Sequence, residues 1–170
     1  SDLGRTNVYV HLNGKGANCE LNGLALSNGK QHFDNHIIID HKVPHCTSSQ
    51  LFKSVLREKS SGVFNGRTIV QKNAQKTDAK QSNKNLLLSK DALMNSNPQL
   101  EIHADDVSCT HGSTTGELDA DSLFYLRSRG LDLAMAKSLL VRGFATECFD
   151  TIQDKKIKSF IMQRFDNWLN

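Results

Sequence analysis

Gln99 to Leu118, QLEIHADDVSCTHGSTTGEL, is where the chain changes character. Leu100, Ile102 and Ala104 alternate with Glu101 and His103, the period of two that marks a half-buried strand. Asp105-Asp106 then supplies a turn, and Val107-Ser108-Cys109-Thr110-His111 alternates again. Residues two apart on a strand share a face. With Val107 directed into the core, Cys109 lies beside it and His111 follows near the strand end. Gly112 and the run Ser113-Thr114-Thr115-Gly116 are expected to break the pattern and lead out of it. Upstream of this stretch the chain reads as strands, downstream as helices.

Working back from it, extended segments are expected at Asn7 to Leu12, Asn18 to Leu26, Gln31 to Asp40, around Gln50 to Leu56, and Gly62 to Val70. They begin about every twelve to fifteen residues, with Gly, Asn or Pro between them. A hairpin sandwich has that rhythm, and so does a parallel β-helix whose coils lay short strands one above another with Asn and Gly at the corners. The scarcity of two-residue hairpin signals leans toward the solenoid, although spacing alone does not decide it. Gln71 to Lys84 (QKNAQKTDAKQSNK) has only Ala74 and Ala79 as apolar residues. Composition leaves open whether it is a loop or a tight coil in which Asn and Gln hydrogen-bond their neighbours along the axis.

Downstream, Asp119 or Asp121 can cap a short helix over Ala120 to Arg129, which Gly130 ends. Asp132 can cap a second, with Leu133, Ala136, Leu140, Gly143 and Phe144 along one face and Gly143 admitting a close backbone. A third begins near Asp154 and carries an apolar stripe of Ile157, Phe160, Ile161, Phe165 and Trp168. That stripe is expected to pack on the preceding helix and on the end of the β domain.

Composition bounds the function. A chain of 170 residues suffices for one domain with a smaller appendage, and 38% apolar content argues against disorder. No apolar run approaches the roughly 18 residues of a spanning helix, and Ser1 to Asn7 contains no apolar signal segment, so a soluble protein is expected. Cys19, Cys46, Cys109 and Cys148 form no CxxC pair, which points to a reducing compartment and away from a disulfide framework or zinc ribbon. The net charge of +3 comes from mixed signs without a basic block, so nucleic acid is not implied as a partner.

Four blocks carry a resemblance: His32 to Leu56 (HFDNHIIIDHKVPHCTSSQLFKSVL), Gly62 to Ser89, Pro98 to Gly130, and Gly143-Phe144-Ala145. Together they closely resemble the C-terminal part of the SufD-type subunits in the SufB/SufD family of the SUF iron-sulfur cluster assembly machinery. The agreement covers nearly the whole chain in ungapped order, and the Cys-x-His-Gly arrangement before the helices favours SufD-type over SufB-type members. The resemblance implies a mainly β protein, a right-handed parallel β-helix core over residues 1–116 followed by a small helical domain over 117–170. It implies a non-catalytic scaffold, pairing with SufB through the end of the β-helix and docking the SufC ATPase through the helices. The iron-sulfur cluster would be transient and shared with SufB, and ATP would belong to SufC. The chain has no GxxxxGK[ST] loop, since Gly14-Lys15-Gly16 and Gly66-Arg67-Thr68 lack its spacing. The permease label often attached to this family does not fit a sequence without a spanning segment. Family members carry a helical N-terminal domain and earlier coils that this sequence lacks, so a fragment of a cytoplasmic or plastid-stromal protein is expected.

The resemblance also places His111 at the SufB interface. Imidazole, with an ordinary pKa of about 6.5, is largely neutral near pH 7 and can replace thiolate at an iron-sulfur site. Cys109 beside it makes a half-site that a partner would complete, although a buried core cysteine has the same pattern. Leu100, Ile102 and Val107 are expected to face SufB along an open edge, which a second copy of the chain can occupy when SufB is absent. Arg127 and Arg129 suit the end of the first helix electrostatically and, by resemblance, the side near SufC. His32, His36, His41, His45 and Cys46 match no tetrahedral ligand spacing and read as corner and cross-coil residues. Two other functions are weighed. A β-helix carbohydrate-active enzyme needs paired carboxylates on one face, which adjacent Asp105 and Asp106 do not give. A free-standing metal-binding protein would have to use the histidine cluster.

Overall fold

Eight strands lead into three helices in the computed structural model, which describes residues 2–169. The strands are β1 (Leu3–Leu12), β2 (Asn18–Ser27), β3 (His32–His41), β4 (Thr47–Leu56), β5 (Ser61–Val70), β6 (Asp78–Leu87), β7 (Leu93–Ile102) and β8 (Ser108–Gly116). Odd strands form one sheet in the order β1-β3-β5-β7 and even strands another in the order β2-β4-β6-β8. Every pairing is parallel, with Leu3 against His32, His32 against Ser61 and Ser61 against Leu93. Each coil of about 30 residues therefore lies on the one before it, and the molecule is a parallel β-solenoid of four coils. A hairpin sandwich would need antiparallel neighbours.

The corners repeat as the coils do. Gly16, His45 and Lys76 occupy one corner in successive coils with φ of 75°, 62° and 61°, and Gly29 and Glu58 share another at 60° each. The amide of each upper-coil turn is satisfied by the next coil: His45 N donates to Gln75 O at 2.9 Å and Lys76 N to Asp106 O at 2.6 Å. The coil path thus demands the left-handed conformation even where the residue is not glycine, and cross-coil bonds offset its cost.

The second and third coils hold an apolar patch in their interior. Ile37, Ile39 and Phe64 are buried, and the Phe52 and Phe64 rings meet at 5.2 Å, each such burial contributing about 1.5–3 kcal/mol. Toward the last coil the interior turns polar. Gln81, Asn83 and Asn85 of β6 are buried, so the polar segment that composition left open is a corner from Gln71 to Thr77 followed by strand β6 from Asp78. Asn83 is its hub: Oδ1 accepts from Asn85 Nδ2 and from Ser96 Oγ, both at 2.7 Å, while Nδ2 donates to Phe52 O at 3.2 Å. Ser113 Oγ donates to Ser96 Oγ at 2.7 Å, tying β8 to β7 across the interior.

Three expectations are corrected. The Gly112 to Gly116 run does not end the strand, because β8 stays paired to β6 as far as Leu86 against Gly116; the ladder bonds come from the backbone and tolerate Gly, Ser and Thr. The second helix, α2 (Leu133–Thr146), is capped by Asp132 as expected but buries Ala136, Val141 and Ala145, leaving Leu133 exposed and Gly143 with no atom near enough to need a glycine. The helices sit on the flank of the solenoid, not on its end. Val141, Ala145 and Phe165 join Val55 and Leu86 in one cluster, with Leu24, Leu26 and Trp168 against it. Val55 and Leu86 are outward residues of β4 and β6, since Leu24 and Leu26 pair with Lys53 and Val55. Of the α3 (Lys155–Leu169) stripe, Phe165 is buried and Trp168 half-buried under the Arg57 guanidinium at 4.5 Å, while Ile157 and Phe160 face solvent. The first helix, α1 (Ala120–Ser128), capped by Asp119 and followed by Gly130 at φ 94°, buries nothing.

A charged clamp fixes the helices to the flank. Lys53 of β4 is only 2% exposed; its ammonium donates to Phe144 O at 2.6 Å, lies 4.4 Å from the Phe144 ring and pairs with Glu147, which follows α2. Glu147 also meets Lys84 of β6 at 3.3 Å. Hydrogen bonding from Lys53 is the main reason the Glu147 carboxyl is held below its ordinary pKa. Replacing Glu147 with Gln should therefore cost about 1–3 kcal/mol and loosen α2 and α3 before the strands, because Lys53 stays buried with a weaker partner. Hydrogen exchange checks this: α2 amides should lose protection while β4 and β6 keep theirs.

His41 is fully buried, with Nε2 2.9 Å from Ser48 Oγ and Nδ1 without a partner among the described residues. Burial pushes its pKa down, against the opposing pull of the Asp40 carboxylate. The unfolded chain then binds a proton that the folded chain resists, so stability is present above pH about 6.5 and falls as pH drops through the histidine range. Urea unfolding from pH 8 to 5.5 should show that loss, and His41→Gln should flatten it; identical slopes would contradict the assignment.

Candidate functional site

The register builds the site. In the even sheet Cys19, Ser48, Ala79 and Cys109 form one column, and Leu21, Gln50, Gln81 and His111 the next. Facing them in the odd sheet, Val10, Ile39, Thr68 and Leu100 form one column, and Leu12, His41, Val70 and Ile102 another. The members in β3 to β6 are buried by the coils above them. Those in the last coil lie on the same inward face with no coil on top. Leu100 and Cys109 are half-buried, Ile102 is 42% exposed and His111 is exposed. Strands β7 and β8 are also the outer strands of their sheets, so both backbones present an unpaired edge there. Pro98 fits such an edge, having no amide to offer a further strand.

Cys109 packs with Val107 against Val70, Ala74 and Ala104. Burial raises its thiol pKa; the Ala79 amide opposes this and the Asp78 carboxylate adds to it. His111 has no hydrogen-bond partner among the described residues. The two side chains thus share a face as the alternation required, one thiol tucked beneath the corner and one free imidazole beyond it. Together they offer one sulfur and one nitrogen donor, half of what a four-coordinate iron requires. Among the described residues no three His, Cys, Asp or Glu side chains converge on a metal position.

Other candidates fall elsewhere. Arg129 stacks over Tyr125 at 5.3 Å on α1, and Arg127 with Phe124 borders a hollow beside Gly130; neither bonds to the coil-end residues. The histidine-rich segment is dispersed by the coil. His32 Nδ1 lies 2.7 Å from Ser61 Oγ, His36 meets Asp34 at 2.8 Å and Asn65 at 3.2 Å, His45 turns a corner, and the Cys46 thiol donates to Gly14 O at 3.3 Å. Asp106 pairs with Lys76 at a corner. Sequence reasoning missed Gln81, Asn83 and the Lys53–Glu147 clamp. Aligning the chain at its coil period, which stacks Gln81 on Gln50, would have exposed the first.

The fold and site define a parallel β-solenoid with flanking helices and a cysteine-histidine pair at its uncovered coil, a repeat architecture that offers extended binding surfaces. The family model described as SUF system FeS cluster assembly, SufBD core domain, matches residues 1–144, and the chain belongs to that family. It is 38% identical over 160 residues to the iron-sulfur cluster assembly protein SufD of Escherichia coli, covering 94% of this chain and 38% of that protein. It is 41% identical over 150 residues to a SufBD family protein of Synechocystis, covering 88% of this chain and 33% of that one. The chloroplastic protein ABCI7 of Arabidopsis thaliana is 38% identical over 159 residues, 92% of this chain and 33% of its own. The chain therefore spans 33% to 38% of the length of these relatives. No helix among the described residues is long and apolar enough to cross a membrane.

The environments of the pair predict different responses. His111→Ala should change stability by no more than about 0.5 kcal/mol, and Cys109→Ala should cost about 1 kcal/mol by opening space under the corner. Because burial raises the Cys109 pKa, its alkylation by iodoacetamide should lag that of a free cysteine at pH 8 and catch up as pH rises above 9. Mass spectrometry of modified peptides reads both rate and site; full-speed alkylation at pH 8 would contradict the packing.

Proposed function

We propose that the chain serves as a SufD-type scaffold, with residues 1–116 presenting the assembly site and residues 117–170 docking a SufC-type ATPase. The observation that carries this is the uncovered last coil, where His111 and Cys109 stand inside a rim of Leu100, Ile102 and Val107 between two unpaired strand edges. A SufB-type subunit pairing along β7 and β8 would extend both sheets and bury that rim. Without SufB, a second copy occupies the same edge. The nascent cluster is cargo, held for a time by His111 and Cys109 together with donors from SufB, and handed on.

The helices support the second half of the reading. The helices expose Phe124, Tyr125, Met135 and Phe160, with Arg129 over the Tyr125 ring and Arg164 over that of Phe160. The E. coli and Synechocystis relatives are named as iron-sulfur cluster assembly proteins, and on this reading ATP hydrolysis belongs to the SufC-type partner. A bacterial cytoplasm or a plastid stroma fits relatives from E. coli and a chloroplast.

The test uses the intact protein mixed with SufB and SufC. His111→Ala should leave the complex intact on gel filtration and reduce iron-sulfur content at least tenfold. Cys109→Ala should share that loss if the thiol is a ligand and keep wild-type content if it only packs. Clusters forming at the wild-type rate on His111→Ala would remove the site assignment.

A further inference from the structure

Gln81 lies directly beneath His111. The two are Cα partners in the β6–β8 ladder, and both belong to the inward column that begins with Leu21 and Gln50. Aligned residues on adjacent parallel strands are about 4.8 Å apart, so a rotation of the exposed imidazole can bring it onto the glutamine amide, a bond this rotamer does not make. Gln81 is 3% exposed, and its Oε1 is buried without a partner.

The glutamine amide nitrogen already has a partner. Its Nε2 donates to Gln50 Oε1 at 3.4 Å, and Gln50 Nε2 donates in turn to Thr68 Oγ1 at 2.9 Å. On the other wall Gly66 leaves the space the amide fills, since a Cβ there would come within 2.3 Å of Gln81 Nε2. With the amide nitrogen committed downward and sideways, the carbonyl oxygen is the group left for the coil above. A buried acceptor without a donor costs about 1–3 kcal/mol, so this oxygen has a standing demand for an N–H. His111, the next residue in the column, has both ring nitrogens uncommitted among the described residues.

We propose that Gln81 is a positioning residue for His111: its Oε1 accepts a hydrogen bond from the imidazole Nδ1–H, fixing the tautomer and directing the Nε2 lone pair out of the coil end. The Thr68–Gln50–Gln81 chain is then a relay of fixed amides whose purpose lies at its top. This deepens the proposed assembly site and rests on that reading for its meaning, while the hydrogen bond itself is a property of this chain alone. A ligand imidazole ordinarily has its second nitrogen held by such an outer partner, and losing that partner costs roughly 10–100-fold in metal affinity or activity. Gln81 touches no cargo; it acts only through His111.

The test separates the bond from the function. In the intact protein labelled with 15N-histidine, the His111 signals are assigned by their absence in His111→Gln. Wild type should show the Nδ1–H tautomer, and Gln81→Met, which keeps the volume and removes the acceptor, should revert to the Nε2–H form that a free histidine side chain prefers. Gln81→Glu, which keeps an acceptor oxygen, should retain Nδ1–H. An Nε2–H tautomer in wild type overturns the proposal without any Gln81 variant having to fold, and so does a Met variant that keeps Nδ1–H. Cluster content with SufB and SufC is then compared: about a tenfold loss in Gln81→Met, restored by Gln81→Glu, is expected. If the tautomer behaves as stated while His111→Ala makes clusters normally, the functional reading fails and the hydrogen bond stands.

Discussion

Residues one coil apart are held in register, and most of the structure follows from that constraint. Parallel pairing puts each inward side chain over its counterpart in the coil below, so the interior is a set of columns, each needing only to satisfy itself. An apolar column such as Val10, Ile39 and Leu100 does so by burial, with Thr68 the exception that receives Gln50. Polar interior residues do so through chains of hydrogen bonds, Gln81 donating to Gln50 and Gln50 to Thr68, and Ser113 donating to Ser96 and Ser96 to Asn83. Every column must end. At the last coil the residues that end them are Leu100, Ile102, Cys109 and His111, and their exposure follows from being last.

The same register determines where the helices go. Outward positions of β4 and β6 carry Val55 and Leu86 with Lys53 and Lys84, an apolar strip beside two cations, and α2, Glu147 and α3 supply the complement. Because the contact is on the flank, both the coil end and the outer faces of the helices stay open. Strand β6 belongs to both regions. Its outward Lys84 meets Glu147, and its inward Asn85 Nδ2 donates to Thr114 O and Thr115 Oγ1 of β8, each at 3.2 Å. Strand β6 thus touches both the helices on the flank and the last coil.

How much of this the sequence disclosed depends on which face carried the contrast. Strands β1 to β5 were legible because apolar residues recur in each between Gly, Asn or Pro corners, and Asp119, Asp132 and Asp154 marked the helix starts. In β6 the inward residues are Ala79, Gln81, Asn83 and Asn85 and the outward ones include Lys80, Ser82 and Lys84, so both faces are polar and no period stands out. In β8 the break expected at Gly112 failed because ladder bonds, unlike side-chain packing, do not need a Cβ. The helical stripes misled for a further reason. Ile157 and Phe160 continue the apolar face of α3 beyond the part that the flank covers, so the stripe marks more than one contact. Alternation made it legible that Cys109 and His111 share a face, while the role given to them came from the resemblance; the place of Gln81 beneath them lies about 30 residues away and is visible only in register.

The central claim is that the imidazole ending the Gln50–Gln81 column reaches iron in a shared site. The nitrogen hyperfine spectrum of the reduced cluster on the assembled complex tests it most directly, with only this chain carrying 15N-histidine. The account predicts a 14N coupling that becomes 15N on labelling and disappears in His111→Ala. A cluster whose spectrum ignores both the label and the substitution would contradict it.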